Sequence, residues 1–304
     1  MDLIGGLINL FLVMLIAPVL DGFARKVRAR IHCRIGPPIL QTWYDIIKLF
    51  KKKDIDAEVS SRLYLISPYL SLAFSLVAAL IIPIGCKKPP LGFTGDVLLL
   101  VYLLASSSLL VAFGSTASGN PFSGIGASRM LSLTVLGEGM LAGSIVTFSV
   151  IAGSLRIGSI TELLSTSPRL AAAVALIPLA VFVYLESERV PFDIHEAEPE
   201  IVGILVEFSG RKLGLIKYSM MIRSTVLATL LIDLAVPWWL ADSYMIPFYI
   251  ISIILWLLLL LLLTLIFTIV DSSLARYRIS MAIEGLVPFL CISFLSIVLA
   301  FLGV

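Results

Sequence analysis

The sequence predicts an all-α membrane protein with about eight transmembrane helices and one amphipathic helix on the cytoplasmic surface. The chain is 59% hydrophobic and 14% charged, with a mean hydropathy of +1.07, which is typical of polytopic helical membrane proteins. Its apolar runs of about 20 residues can satisfy their own backbone in lipid only as helices. We expect one polytopic domain over residues 1–304, with spans near residues 3–22, 63–84, 96–114, 130–152, 169–185, 216–236, 247–270 and 282–303.

Basic residues predict how these spans are oriented. The connection between the first two spans, residues 24–62, holds ten of the chain's 22 Lys and Arg residues. The opposite side of the membrane holds only Lys87, Lys88, Arg156 and Arg169. Because Lys and Arg are enriched in cytoplasmic connections, we expect a multi-pass protein of the cell membrane. Both termini are then external, and the acidic segment described below is cytoplasmic.

Residues 36–53 are predicted to form a helix on the membrane surface. The turn Gly36-Pro37-Pro38 precedes it, and proline is compatible with the first position of a helix. Apolar and charged residues then lie on opposite sides at helical spacing. The apolar side is Ile39, Trp43, Ile46, Ile47 and Phe50, and the charged side is Asp45, Lys48, Lys51 and Lys52. A membrane anchor is the simplest interpretation, although the basic run at residues 25–34 could also bind phospholipid or an acidic subunit.

An unusual concentration of carboxylates follows the fifth span. Seven of the chain's 20 acids fall there, namely Glu186, Glu188, Asp193, Glu196, Glu198, Glu200 and Glu207. Like charges that are close together near a low-dielectric wall raise one another's pKa, so such a group can hold protons near neutral pH. Pro191, Pro199 and Gly210 punctuate the stretch, and apolar residues interleave the acids. We therefore expect residues 186–214, the acidic loop, to be a folded segment, with a solvated loop as the simpler alternative.

One carboxylate, Glu138, is predicted to lie inside the membrane. It falls in the fourth span between two glycines that let other helices come close, and an ionisable group at that depth is a functional candidate by default. Two charged residues of the sixth span, Arg223 and Asp233, fit either a structural ion pair or a functional role, and the sequence leaves both open.

The acidic loop and Glu138 together predict a proton entry path. Pro199 suits the first position of a short helix, in which Glu200, Gly203 and Glu207 would share one face. The loop before that helix carries Asp193 and Glu196. Acids that lead from a cytoplasmic pocket to a buried glutamate have the arrangement that proton transfer through water requires.

Cysteine and histidine are too scattered to predict a metal site. Cys33, Cys86 and Cys291 form no C-x-x-C pair, and His32 and His195 are far apart in the sequence. We therefore expect that this chain alone binds no iron–sulfur cluster or other metal and has no catalytic residue, so redox chemistry belongs to a partner.

Several motifs resemble one family of membrane subunits. These subunits anchor the peripheral arm of respiratory complex I, of membrane-bound [NiFe] hydrogenases and of formate hydrogenlyases. The resemblance covers nearly the whole chain. Its signature is Arg189-Val-Pro-Phe-Asp-Ile-His-Glu-Ala-Glu-Pro-Glu200 followed by Val206-Glu-Phe-Ser-Gly210, with further similarity at residues 29–37, 45–50, 119–129 and 274–278.

Details of these motifs are similar to the hydrogenase branch of the family. They are Ala17-Pro18, Ala29-Arg30-Ile31-His32, Ile39-Leu40-Gln41 and Asp271-Ser-Ser-Leu-Ala-Arg276. Quinone-reducing members typically have an acidic residue before paired arginines where this chain has Asp21-Gly-Phe-Ala-Arg25. The chain also departs from the family at Pro199, where a polar residue is usual.

The resemblance implies roles for particular residues. The coupling region near the arm would include Glu138, Asp193, Glu196, Glu198, Glu200 and Glu207, with weaker assignments for Glu186, Glu188 and Arg189. The interface with the arm would include Arg30, Arg34, Arg276 and Arg278.

The resemblance also implies partners and a function. Iron–sulfur clusters and a NiFe centre would sit on peripheral hydrogenase-like and iron–sulfur subunits. This chain would link electron transfer there to H⁺ or Na⁺ translocation in antiporter-like neighbours, in contact with lipid and with no nucleic acid. Alternatives are a quinone-site subunit of a complex I-like NADH, F420 or ferredoxin oxidoreductase, and a subunit of a related sulfur-reducing complex. A self-sufficient transporter would call for internal repeats, and none is found; a plain scaffold would need none of the acids.

Overall fold

The computed structural model describes residues 3–55, 60–86, 89–166, 169–196, 203–236 and 246–303. Within these ranges the chain forms ten α-helices. They are α1 (Leu3–Ile31), α2 (Gln41–Lys51), α3 (Arg62–Ile81), α4 (Asp96–Thr116), α5 (Pro121–Ala152), α6 (Ile157–Thr166), α7 (Leu170–Glu186), α8 (Gly210–Ala235), α9 (Ile246–Ser273) and α10 (Ile279–Leu302).

Eight of these helices correspond to the predicted spans. In the described ranges, α1, α3, α4, α5, α8, α9 and α10 are long and apolar enough to cross a membrane, and α7 is a shorter apolar helix. The predicted all-α membrane fold is therefore confirmed. Some helices extend beyond the predicted spans, because α1 continues to Ile31 and α5 already begins at Pro121. Hydropathy marks the part of a helix that lies in lipid, whereas these helices continue with polar residues beyond it.

The short helix α6 was not predicted. Its N-terminus is capped by a carboxylate from another helix, since Asp96 Oδ1 accepts a hydrogen bond from the Ile157 amide at 2.9 Å. Its apolar side chains Ile157, Ile160 and Leu164 are buried in the main core. The helix thus depends on a tertiary contact that no local pattern in its own sequence indicates.

Helix α8 is the centre of the bundle. It packs against α1, α2, α3, α4, α7 and α9. Of the seven long apolar helices among the described residues, α8 is the most buried, and α9 and α10 are the least buried. Small residues let the central helices approach closely. The Ser71 hydroxyl of α3 lies 3.1 Å from that of Ser107 in α4 and 3.0 Å from that of Ser219 in α8.

The predicted surface helix is present as α2, although it begins at Gln41 rather than near residue 36. It packs on α1 and α8. The Trp43 indole donates a hydrogen bond to the Leu15 carbonyl at 3.3 Å, and its ring lies 6.1 Å from that of Tyr218. The apolar side of α2 therefore contacts the helix bundle. We refer to the end of the bundle that carries α2 and the acidic loop as the loop end.

The segment after α2 also caps the start of α8. Asp54 Oδ1 accepts hydrogen bonds from the amides of Arg211 at 2.6 Å and Lys212 at 3.4 Å. A carboxylate at this place satisfies amides that have no partner within the helix and complements the helix dipole. The Ile55 amide also donates to the Ser209 hydroxyl at 2.7 Å. The surface helix and the end of the acidic loop are thereby joined.

This junction requires glycine at position 210. Gly210 has φ of +52°, and a Cβ there would lie 2.5 Å from the Lys53 carbonyl oxygen. Gly153, at the end of α5, has φ of +59° with open space around the Cβ position. Gly210→Ala should lower the thermal unfolding midpoint of the purified protein more than Gly153→Ala does, because only the former adds a clash to the backbone cost of about 1–2 kcal/mol. Equal shifts for the two variants would contradict the tight contact.

Candidate functional site

The described part of the acidic loop is folded against the bundle, as predicted. Asp271 in α9 accepts a hydrogen bond from the Val190 amide at 3.2 Å. The Tyr277 amide donates to the Pro191 carbonyl at 3.1 Å. The ring of Phe192 packs edge-on against Tyr277 with ring centroids 6.1 Å apart. These contacts fix the loop to α9 and to the connection that follows it.

Three side chains of the loop and one of α8 form a group that we call the ionic cluster: Glu186, Glu188, His195 and Arg223. Arg223 in α8 is 1% exposed, and its Nε lies 3.1 Å from Glu186 Oε2 while its Nη2 donates to Glu188 Oε1 at 2.7 Å. The other carboxylate oxygen of Glu188 lies 3.7 Å from His195 Nε2. Glu188 has φ of +54°, a backbone conformation uncommon for residues other than glycine.

Burial and nearby charges shift the pKa values of Glu188 and His195 in opposite directions. Burial favours the neutral form of Glu188, but the charges of His195 and Arg223, together with the hydrogen bond from Arg223, outweigh it and lower the pKa of the carboxyl. Burial likewise favours neutral His195, but Glu188 outweighs it and raises the pKa of the imidazole. The two side chains therefore stabilise each other in their charged forms.

Two further acids of the loop, Asp193 and Glu196, have raised pKa values. Burial raises the pKa of Glu196 to about 7, and the neighbouring charge of Glu188 adds to this effect. Burial also raises the pKa of Asp193, although His195 and Arg276 partly offset it. Asp193 accepts a hydrogen bond from Arg276 at 2.6 Å. Glu196 can thus exchange a proton close to neutral pH.

A cavity of about 330 Å³ opens beside the ionic cluster. We call it the large cavity; α1, α7, α8, α9 and the acidic loop surround it. It has room for roughly ten water molecules at about 30 Å³ each. Its charged lining residues are Asp21, Arg25, Arg28, Glu186, Glu188, Arg189, Asp193, Glu196 and Lys217.

A second, small cavity of about 20 Å³ lies on the other side of the cluster. This volume suffices for about one water. Its polar lining comprises Glu186, Glu188 and His195 together with Thr134 of α5, while Met130, Leu133, Leu185 and Phe192 provide the apolar lining. Glu186 and Glu188 line both cavities, so the cluster separates them.

Glu138 lies on α5 about one helical turn beyond Thr134, which lines the small cavity. Thr134 is four residues before it and therefore on the same face of the helix. Glu138 is within electrostatic range of Glu186 and Arg223. A Cβ on either flanking glycine would come within 2.8 Å of Leu185 in α7 or 2.9 Å of Leu290 in α10. The expectation that these glycines permit close packing around Glu138 is confirmed.

Glu207 does not join the other acids. Its carboxylate accepts a hydrogen bond from Asn120, its carbonyl accepts one from the Tyr64 hydroxyl at 2.7 Å, and it lines neither cavity. The predicted helix does not extend to it, because residues 203–209 form bends and turns and Gly203 has φ of +92°. Glu198, Pro199 and Glu200 lie outside the described residues.

The arginines of the predicted arm interface differ in their surroundings. All four arginines, Arg30, Arg34, Arg276 and Arg278, are exposed at the loop end, and Arg276 is in addition paired with Asp193. Arg189, which the resemblance marked only weakly, lines the large cavity and donates to the Thr268 hydroxyl at 2.8 Å. His195 and Arg223 lie at the centre of the site, although the sequence did not predict a definite role for either residue. An arginine inside an apolar span was the available signal for Arg223.

The fold and the site define a class of protein. This is a multi-pass helical membrane protein in which buried ionisable groups line two cavities at one end of the bundle. Among the described residues, no three His, Cys, Asp or Glu side chains are grouped so as to hold a metal ion.

Comparison with known proteins identifies the family. The sequence model of the NADH dehydrogenase family matches residues 4–301, and the chain belongs to that family. It is 34% identical to hydrogenase-4 component C of Escherichia coli K12 over 88% of this chain and 86% of that protein. It is 30% identical to formate hydrogenlyase subunit 4 of the same organism, over 92% and 93%. With a subunit of the NADH-quinone oxidoreductase of Thermomicrobium roseum it shares 32% identity over 72% and 75%.

A solved structure agrees with these sequence matches. A chain of the membrane-bound sulfane sulfur reductase, an archaeal respiratory membrane complex, superposes with a TM-score of 0.84 at 25% identity, over 98% of both chains. The resemblance to membrane subunits of complex I and of membrane-bound hydrogenases is therefore confirmed. This chain is a membrane subunit of a complex I-like or hydrogenase-type oxidoreductase complex.

Proposed function

We propose that this chain anchors a peripheral electron-transferring arm and couples its reaction to H⁺ or Na⁺ translocation in the membrane. One observation carries the proposal: the large and the small cavity share two carboxylates of the ionic cluster, and Glu138 lies one helical turn beyond Thr134 of the small cavity. Glu186 and Glu188 line both cavities, and Glu186 is within electrostatic range of Glu138. This arrangement supports a path along which a proton can pass between side chains through water.

The chemistry of the path follows from its residues. Glu196 on the large cavity exchanges protons with water near neutral pH, because burial raises the pKa of its carboxyl to about 7. Any carboxylate of the path that takes up a proton weakens its attraction to Arg223. Protonation and rearrangement of the cluster are therefore linked, and this link can transmit an event at the arm into the bundle.

The partners are also proposed. Iron–sulfur clusters and a NiFe centre would belong to peripheral hydrogenase-like and iron–sulfur subunits, since the hydrogenase-type relatives match more of this chain than the quinone-reducing one does. These subunits would dock at the loop end, where Arg30, Arg34 and Arg278 are exposed. Antiporter-like neighbours and lipid would contact the apolar outer faces of α9 and α10. Co-purification of these subunits with the tagged chain tests this assignment.

A sulfur-reducing complex and a quinone-reducing one are alternatives for the arm. The structural relative in a sulfane sulfur reductase favours the former. A quinone chamber would be largely apolar, whereas the large cavity has nine charged residues in its lining and none from α2. The charged lining therefore favours a cavity that holds water and protons, not a quinone.

Orientation follows from the basic residues of the loop end. The positive-inside rule places this end in the cytoplasm, so that the acidic loop is cytoplasmic and residues 1 and 304 are external. Reporter tags at each terminus should give an external signal, and a tag inserted beside Lys52 a cytoplasmic one. A cytoplasmic signal from the C-terminus alone would contradict an even number of spans.

The decisive experiment compares the native complex with a Glu138→Gln complex in sealed vesicles. Electron-transfer turnover and ion uptake are measured together, and the proposal requires that ion uptake per electron falls. Uptake at the native ratio would remove Glu138 from the path and would contradict the proposed coupling role.

A further inference from the structure

His195 lines the small cavity, and the residue that follows it in the chain lines the large cavity. The ring is 4% exposed, its Nε2 lies 3.7 Å from Glu188 Oε2, and it lines the small cavity beside Thr134. The next residue, Glu196, lines the large cavity instead. Consecutive residues of the loop therefore contact opposite sides of the ionic cluster. Nε2 is buried and has no hydrogen-bond partner among the described residues.

We propose that His195 is a proton carrier that joins the large cavity to the Glu188 side of the small cavity and thereby to Glu138. This inference rests on the proposed function. Imidazole suits the task because it binds a proton at one ring nitrogen and releases another from the second nitrogen. One proton enters from the Glu196 side to give imidazolium, and one leaves Nε2 for the Glu188 carboxylate or for water in the small cavity. The ring ends neutral, and one proton has crossed the cluster.

The charges around His195 fit this role. The loop contributes Glu188, Asp193 and Glu196, whose charges all act on the imidazole. Of the helices packed nearby, α7 contributes Glu186 and α8 contributes Arg223. The α5 residues that share the small cavity with His195 are uncharged. Glu188 raises the pKa of His195 against the effect of burial, so the cationic form persists to higher pH than in an ordinary histidine and is lost as the pH rises further.

The test is His195→Gln in the intact complex. Glutamine keeps an amide donor close to the position of Nε2, so the contact with Glu188 can persist, but it does not titrate. We expect assembled complex at the native level, with ion uptake per complex at least about tenfold slower, since a positioned acid–base group contributes 10²–10⁴-fold. The alkaline decline of native uptake should also disappear. The matched control is His32→Gln, since this chain's only other histidine is exposed at the end of α1, and it should leave rate and pH profile unchanged.

The outcomes separate this inference from the proposed function. Native uptake and an unchanged pH profile in His195→Gln, with uptake lost in Glu138→Gln, would overturn the role of His195 and leave the coupling proposal intact. Native uptake in both variants would overturn both. Loss of assembled complex in His195→Gln, with native uptake from the complex that remains, would assign His195 a structural role and also overturn the inference.

Discussion

Glu138→Gln should leave the complex assembled and reduce ion uptake by about 10²-fold or more, the lower range for loss of an acid–base group. Glutamine keeps the shape of glutamate and its hydrogen-bonding capacity, but it carries no titratable proton. Removal of a charge between helices also removes a desolvation cost, so stability should be unchanged or slightly higher. Electron-transfer turnover should fall by less than ion uptake, so that fewer ions are taken up per electron.

The matched control for Glu138 is Glu284→Gln. Glu284 is a carboxylate in α10, also on a membrane-spanning helix, but it is exposed and lines neither cavity. Assembled complex, turnover and ion uptake should all remain native in this variant. A loss of assembly in Glu138→Gln would point to a structural pairing of Glu138 instead of proton transfer. Equal losses of uptake in the two variants would show that carboxylates on these helices matter irrespective of the path.

The sequence predicts the helices of this protein well because their determinants are local. An apolar run of sufficient length must be a helix in lipid, and this condition does not depend on neighbours. The same holds for α2, whose apolar and charged sides are visible within a few turns. Helix α6 was not predicted, because the residue that caps its N-terminus, Asp96, lies in another helix.

Which residues belong to the site is decided by tertiary contacts and not by local sequence. Seven acids in one stretch indicated an acidic site, but their spacing did not show which of them would meet. Glu186 and Glu188 line both cavities because α7 ends beside Arg223, whereas Glu207 lies elsewhere, in contact with Asn120. The predicted face of Glu200, Gly203 and Glu207 assumed helical φ values, and the positive φ of Gly203 is incompatible with that assumption.

Arg223→Gln should have the largest effect on assembly. The guanidinium is 1% exposed and is paired with two carboxylates that are themselves largely buried. Breaking a buried pair by removing one partner costs about 3–5 kcal/mol, because the remaining charge has no compensation. We expect a severe loss of assembled complex, measured as the amount of this chain that co-purifies with its partners. Arg223→Lys should retain part of the complex, since a single ammonium cannot reproduce two directed contacts.

The cause of that loss can be isolated by neutralising the partners as well. If uncompensated carboxylates are responsible, Arg223→Gln combined with Glu186→Gln and Glu188→Gln should restore assembly, yet ion uptake should stay low because the path has lost two carboxylates. Arg156→Gln is the control for removing an arginine, since Arg156 is exposed and donates to the Thr94 hydroxyl. Such a surface change should alter stability by less than about 0.5 kcal/mol. Native assembly of Arg223→Gln alone would mean that the ionic cluster does not hold the acidic loop to α8.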